Sequence, residues 1–134
     1  MLTFLGLAKI VMRLRSDSTY PGDPGGIVHK RERPPCLITS PATLDREWIP
    51  EVARRGWLIL TRDRHIRDHR AEIEAVRANS AKMVTLAADE ARGTWEQLEV
   101  LMCRWRAIAE RVVDQPGLFI YRATRTVLTL QDLT

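Results

Sequence analysis

The strongest constraint on the fold is a continuous apolar run, Trp57-Leu58-Ile59-Leu60-Thr61. A short run of this kind predicts a strand buried on both faces, as in a parallel sheet covered by helices. The preceding residues 45–55 have a helical period and lead to Gly56, a typical helix stop. Residues 69–78 predict a second helix, and 82–86 a further strand. This alternation predicts an α/β fold with a mostly parallel sheet and helices on both faces.

Both ends of the chain extend the pattern. Residues 9–15 alternate in polarity and predict a strand, although the apolar residues there also fit a helical period, so both interpretations stay open. Thr94 begins a capping box that opens a long helix, and residues 118–121 and 126–130 predict two strands. Cys103 is predicted to be a small core residue of that helix. The apolar stripe predicted to face the core comprises Trp95, Leu98, Met102, Trp105, Ala109 and Val112.

One composition shift interrupts this pattern, between residues 16 and 43. The segment contains Tyr20-Pro21-Gly22-Asp23-Pro24-Gly25-Gly26, in which each proline disfavours helix at the residue before it. A length of 134 residues suits one domain. We therefore predict a single domain over 1–134 with a Pro/Gly-rich excursion at 16–43, in which a short strand forms at 27–28 or 37–38.

Charge and cysteine content limit the classes of partner and site. The chain carries 21 basic residues against 17 acidic ones, a net charge of +4, and all but three of the basic residues are arginines. This arginine excess permits polyanion binding, although codon bias explains it equally well. The two cysteines lack a CxxC spacing, which gives no zinc or redox motif. Without a bilayer-length apolar run or a leader pattern, we expect a reducing cytoplasm and no membrane partner.

Carboxylates are predicted to gather at one edge of the sheet. In open parallel sheets, function lies beyond the carboxyl ends of the strands. Asp63 follows the strand that ends at Thr61, and Asp45 and Glu47 begin the helix that leads into it. Oxygen ligands of this kind suit Mg²⁺ or Mn²⁺, which activate water and neutralise phosphoryl charge. Asp17 is a further candidate. In the alternative interpretation, Asp45 only caps a helix and Asp63 only starts a turn.

The segments Asp45-Arg46-Glu47-Trp48-Ile49 and Arg54-Arg55-Gly56-Trp57-Leu58-Ile59-Leu60-Thr61-Arg62-Asp63 resemble the PIN-like domain superfamily. The form they resemble is the short one found in VapC-type toxins of bacterial toxin–antitoxin pairs. There an acidic residue opens a helix, a glycine ends it, and a buried strand runs into Thr-x-Asp. The resemblance spans residues 14–130. It implies a three-layer Rossmann-like fold and a magnesium-dependent ribonuclease.

Carried onto this sequence, the resemblance implies catalytic roles for Asp45, Asp63 and Thr61. Asp45 and Asp63 would hold Mg²⁺ or Mn²⁺, with Glu47 as a further ligand candidate. The implied partners are an RNA substrate and an antitoxin that covers the acidic edge, and a homodimer is left open. Three arginines flank this edge and are either phosphate contacts or a solvated face paired with nearby acids: Arg62, Arg64 and Arg70.

The start of the chain departs from the family pattern. The resemblance implies a first strand that carries an aspartate, whereas residues 9–14 align with the second strand and nothing before Asp17 is acidic. The first strand and its aspartate are therefore predicted to be absent. Two interpretations follow: an active ribonuclease, or a degenerate module that binds RNA or an antitoxin without cutting. A small-molecule Rossmann-like enzyme is a third, but it lacks a cofactor fingerprint.

Overall fold

The computed structural model of the chain describes residues 1–62, 66–87, 89–112 and 114–133. The described elements, in chain order, are α1 (Leu5–Leu14), β1 (Gly26–Val28), β2 (Arg31–Arg33), α2 (Asp45–Arg54), β3 (Leu58–Arg62), α3 (Ile66–Asn79), β4 (Lys82–Leu86), α4 (Thr94–Ala107), a π-helical turn (Ile108–Val112), β5 (Phe119–Ala123) and β6 (Leu128–Leu130). Within these residues, no helix is long and apolar enough to cross a bilayer.

Four strands form the main sheet, in the order β3-β4-β5-β6. β3, β4 and β5 run parallel, with Leu58 beside Lys82 and Lys82 beside Phe119. β6 returns antiparallel to β5. The helix α3 connects β3 to β4, and α4 with its π turn connects β4 to β5. The mostly parallel α/β sheet predicted from the alternating pattern is therefore confirmed.

The first three residues extend this sheet beyond β3. Leu2 forms a parallel bridge with Leu60. The Leu60 amide donates to the Met1 carbonyl oxygen at 2.7 Å, and the Thr3 amide donates to the Leu60 carbonyl oxygen at 3.0 Å. Residues 1–3 thus lie where a strand next to β3 belongs. Because this contact is a single bridge and no strand forms before α1, the absence of the family's first strand stays a prediction.

Residues 5–14 form the helix α1. Of the two interpretations left open for residues 9–15, the helix is therefore correct and the predicted strand is wrong. The buried residues of α1 recur at helical spacing, as the pairs Leu7 with Val11 and Ala8 with Met12. These side chains join the apolar cluster beneath α4. A helix places all four of these side chains on one face, whereas an alternating strand would divide them between two faces.

Two apolar clusters lie against the sheet, and successive strand residues alternate between them. Ile59, Met83 and Ile120 belong to one cluster, together with residues of α2 and α3. Leu60 and Val84 come next along their strands and belong to the other cluster, with residues of α1 and α4. The strands therefore bury both rows of side chains, as the continuous apolar runs predict.

The helix α2 matches the predicted helix and its glycine stop. Gly56 has a φ of +71°, and beyond it the Trp57 amide donates to the Val52 carbonyl oxygen at 3.2 Å. A left-handed residue at this place lets the chain turn directly into β3. Pro50 lies inside the helix, and Trp48 is buried, as expected for a core residue.

The helix α4 presents a different face to the core than predicted. Trp95 is 77% exposed and Met102 is 65% exposed, and Cys103 is exposed as well. The predicted stripe is therefore wrong at Trp95 and Met102, and so is the predicted burial of Cys103, whereas Val112 is buried and Leu98 and Trp105 pack against the core as predicted. The fully buried residues of this segment are Gln97, Val100, Leu101, Ile108 and Val112.

A polar residue on the buried face of α4 accounts for this error. The Gln97 side chain donates to the Ala91 carbonyl oxygen at 3.4 Å, so its amide is satisfied inside the fold.

The helix α4 begins after Gly93, its N-cap residue, with no capping hydrogen bond from a side chain. The capping box expected at Thr94 is not formed.

The Pro/Gly-rich excursion is ordered around one buried ion pair. β1 and β2 form a separate antiparallel hairpin, which includes the strand expected at residues 27–28. The Asp23 carboxylate accepts from Arg33, from the Thr19 hydroxyl at 3.0 Å and from the Gly25 amide at 2.8 Å. The two charged side chains are 0% and 8% exposed. Asp23 and Arg33 thus tie the hairpin to the loop before it.

Candidate functional site

The carboxyl end of β3 carries a pair of hydroxyl groups. Thr61, the fourth residue of β3, is 1% exposed. The Thr3 hydroxyl, at the end of the N-terminal segment, donates to the Thr61 hydroxyl oxygen at 2.8 Å. Arg62, the last residue of β3, is half-exposed beside them. The structure therefore places Thr61 and Arg62 at the predicted edge and adds Thr3, which the sequence did not indicate.

The helix α2 starts at the same edge. Three residues separate the end of α2 from the start of β3, and Ile49 and Val52 share an apolar cluster with Ile59, so a chain that turns back within three residues runs antiparallel to β3. A helix of ten residues is about 15 Å long and a strand of five residues about 16 Å, so the start of α2 reaches the carboxyl end of β3. Asp45 is the first residue of α2, but its side chain lies outside the described part. Glu47 is exposed in the first turn.

The remaining predicted residues are only partly described. Asp63 and Arg64 lie outside the described residues, as does His65. Arg70 is exposed on α3. Of the predicted site, Thr61 and the backbone at the start of α2 are therefore described, and the carboxylate of Asp63 is not.

Acidic residues that follow β4 pair with one arginine of β5 and one that follows it. Asp89 accepts from Arg122 at 3.2 Å. Arg125 lies 3.4 Å from Glu90 and 3.1 Å from Glu99, and the hydrogen bond to Glu99 is the main cause of the raised pKa of its guanidinium. These acids are already neutralised, so they add little negative field for a cation at this edge.

The candidate ligand atoms at this edge are oxygens, the atom type that a hard divalent cation prefers. Hydroxyl and carboxylate oxygens are the ligands that Mg²⁺ and Mn²⁺ prefer. Among the described residues, no three His, Cys, Asp or Glu side chains gather closely enough to hold a metal. Metal binding here would therefore depend on Asp45 and Asp63, with Thr3 and Thr61 beside them.

Asp17 lies away from this edge. Its carboxylate accepts from Arg15 at 2.8 Å, and this pairing is the main reason that the pKa of Asp17 is lowered. The Arg15 guanidinium stands over the Trp105 ring at 4.5 Å. Asp17 also lines a cavity of about 410 Å³ at the amino end of β3, next to Trp57. Asp17 therefore does not take the place of a first-strand acid at the carboxyl edge.

The sequence model of the PIN-like domain family matches residues 12–88, which is more than half of the 134-residue chain. The chain belongs to the PIN-like domain family. Membership suggests nuclease activity and does not specify a substrate, a metal or a toxin role. No curated protein and no solved structure gave a significant match.

The PIN-like match covers every residue that the sequence predicted for the site, from Asp45 to Arg70. It begins inside α1 and leaves Thr3 outside. The only sequence signal for Thr3 was its place just before a helical period, which is too short a pattern to predict a strand. The hydrogen bond between Thr3 and Thr61 joins two segments that are distant in the sequence, so only the folded structure shows it.

Proposed function

We propose that this PIN-like protein is a magnesium-dependent endoribonuclease of the VapC type, the toxin of a cytoplasmic toxin–antitoxin pair. The observation that carries the proposal is the convergence of β3 and α2 at one edge. Thr61 is the second-last residue of β3, Asp45 begins α2, and both lie within the family match. The clusters on both faces of the sheet support the three-layer Rossmann-like arrangement that such nucleases share.

In the proposed site, Asp45 and Asp63 hold Mg²⁺ or Mn²⁺, and Glu47 is a further candidate ligand. The chemistry that a bound divalent ion supplies is activation of water and neutralisation of phosphoryl charge. Thr61 offers a fixed hydroxyl beside the carboxylates. Arg62 and Arg70 are exposed enough to contact RNA phosphates, as Arg64 is also proposed to do.

Cleavage of single-stranded RNA tests this proposal. Purified protein is expected to cut RNA with Mg²⁺ and to stop when EDTA is added. Asp45→Asn and Asp63→Asn should each reduce cleavage to the EDTA background. Glu51→Gln is the matched control, because Glu51 is an acid of α2 that pairs with Arg54 on the surface. Cleavage that persists in both Asn variants would refute the assignment.

Thr3 favours a second candidate function, a non-catalytic PIN-like module that binds RNA or an antitoxin. The resemblance implies an aspartate on the first strand, and the strand position is filled by residues 1–3, which include no acid. Titration with Mg²⁺ separates the two candidates. Binding to the wild type supports the ribonuclease. No binding at millimolar Mg²⁺, together with binding by Thr3→Asp, supports the degenerate module.

A growth assay tests the toxin role. Expression of the wild-type chain in bacteria should arrest growth, and expression of Asp63→Asn should not. Equal growth in both cases, with both proteins present at the same level, would contradict a toxin role even if RNA cleavage is found.

A further inference from the structure

The hairpin of β1 and β2 closes with a strained turn. Its two turn residues, His29 and Lys30, have φ values of +50° and +65°, and Val28 pairs with Arg31 across them. Positive φ at both central residues of a two-residue turn is the type I′ geometry, which Asn-Gly forms most readily. Larger side chains disfavour this region of φ, and strain of this kind gathers at functional sites. The turn therefore carries two side chains that its geometry does not require.

Most of the net positive charge of the chain lies in its first 33 residues. They hold six basic residues against three acidic ones, which gives +3 of the total +4. Two of the acids are neutralised, because Asp17 pairs with Arg15 and Asp23 pairs with Arg33. The third acid, Glu32, is exposed. Four exposed basic residues remain that have no ion-pair partner among the described residues: Lys9, Arg13, Lys30 and Arg31.

The helix α1 connects these charges to the proposed cutting edge. It begins two residues after Thr3, which bonds to β3 at that edge. At the other end of α1, the residues that follow it line the same cavity as Arg33, the last residue of β2, and α1 also contacts β1. Lys9 and Arg13 are exposed on α1, one helical turn apart. A basic track, defined as Lys9, Arg13, Lys30 and Arg31, therefore extends along α1 to the hairpin.

We propose that the basic track binds the phosphate backbone of single-stranded RNA and holds the strand beyond the edge at which it is cut. The identity of the polyanion as RNA rests on the proposed function. Lys and Arg contacts to phosphates position a nucleic acid without reading its sequence. The buried pair of Asp23 and Arg33 fixes the base of the hairpin, so the backbone at Lys30 and Arg31 is already ordered before RNA binds.

Removing two charges from the hairpin should weaken RNA binding in a salt-dependent way. Each phosphate contact to a single strand contributes about 0.7 to the slope of log affinity against log salt. Lys30→Gln with Arg31→Gln should therefore reduce this slope by about 1.4. At low salt, the affinity should fall about two- to fivefold for each charge.

The matched control is Arg54→Gln with Arg77→Gln. It removes two exposed charges from the last turns of α2 and α3, which pack on the face of the sheet opposite α1. We expect this control to leave both the slope and the affinity unchanged.

The measurement is fluorescence anisotropy of a labelled single-stranded RNA in EDTA, between about 50 and 200 mM NaCl, so that binding is recorded without cleavage. A smaller slope in the hairpin variant, with an unchanged slope in the control, supports the inference. An unchanged slope in the hairpin variant overturns it. So does an equal fall in both variants, which would mean a diffuse effect of net charge. A slope that depends on the hairpin with single-stranded DNA but not with RNA overturns the assignment to RNA.

A turn variant separates RNA binding from the stability of the hairpin. His29→Asn with Lys30→Gly suits the type I′ turn, so it should raise the midpoint of thermal unfolding while RNA affinity falls about two- to fivefold. A purely structural role for the two side chains predicts no fall in affinity, and that result would overturn the inference. If the midpoint falls instead, Lys30→Gln with Arg31→Gln decides, because it keeps His29 and adds no glycine.

Cleavage with Mg²⁺ is scored separately for the same proteins. A wild type that binds RNA through the basic track and cuts none refutes the ribonuclease and leaves this inference in place. A wild type that cuts RNA, with a hairpin variant that keeps the full salt slope, refutes the inference alone. A wild type that binds no RNA refutes the inference whatever the cleavage result.

Discussion

The ion pair of Asp23 and Arg33 gives the most direct test of how the Pro/Gly-rich excursion is stabilised. Asp23→Asn removes the charge and leaves the Arg33 guanidinium, 8% exposed, without its counter-ion. Breaking a buried pair from one side costs about 3–5 kcal/mol, because the remaining charge stays desolvated. Domains have about 5–15 kcal/mol of total stability. The variant should therefore lose about a fifth of this stability or more.

Urea unfolding followed by tryptophan emission measures this loss. At about 4 °C per kcal/mol for a domain of this size, the midpoint of thermal unfolding should fall by about 12–20 °C. The control is Glu51→Gln, which breaks an exposed pair with Arg54 at 3.1 Å and should cost at most about 0.5 kcal/mol.

A double variant separates the ion pair from the packing of the same side chains. Asp23→Leu with Arg33→Met removes both charges, and it should recover most of the stability that Asp23→Asn loses. A loss below about 1 kcal/mol in Asp23→Asn would refute the reasoning, since it would mean that Arg33 is not desolvated. The reasoning would also be refuted if the double variant lost more unfolding free energy than Asp23→Leu and Arg33→Met lose together as single variants.

Three further predictions follow from burial and backbone geometry. Burial lowers the pKa of the Met1 amino group from 8.0 to about 5. The unfolded chain then binds more protons between these pH values, so stability should fall as pH drops from 8 to 5, by up to about 1.4 kcal/mol per unit in urea titrations. A thiol reagent should label Cys103 quickly and the buried Cys36 only after denaturation, and rapid reaction of both would contradict the described burial. Gly25→Ala places a Cβ 2.6 Å from a backbone oxygen and should destabilise by more than Gly56→Ala, which has an open site and costs about 1–2 kcal/mol for its positive φ.

The parts of the fold that the sequence predicted are those with a long, regular burial pattern. β3 follows a continuous apolar run and β4 has three apolar residues among its five, and both appear in the structure within one residue of the prediction. Gly56 ends α2 for the reason its sequence position indicates, a left-handed φ. Burial on both faces leaves few other conformations for such segments.

The parts that it did not predict depend on contacts between distant residues. Residues 1–3 bond to β3 through a single bridge at Leu2, which depends on the free edge that β3 offers. Trp95 is exposed although an apolar residue at that spacing suggests a core position, because Gln97 and Val100 take the buried face. Such choices between two faces of one helix depend on the shape of the neighbouring surface.

The candidate site was likewise predictable only in part from the sequence. The sequence predicted Thr61 near the end of a strand and Asp45 at the start of a helix, and both residues lie at those positions of β3 and α2. The partner of Thr61 could not be predicted. A hydrogen bond between Thr3 and Thr61 links residues 58 positions apart, and no local pattern encodes it.

The pairing of residues 1–3 with β3 also has a consequence for the order of events during synthesis. Leu2 is synthesised 58 residues before its partner Leu60. Until then Leu2, which is 1% exposed in the folded protein, has nowhere to be buried. The edge of the sheet and the hydroxyl pair therefore form late, after a long loop has closed. A nascent chain halted before β3 would hold α1 and the hairpin but no assembled site.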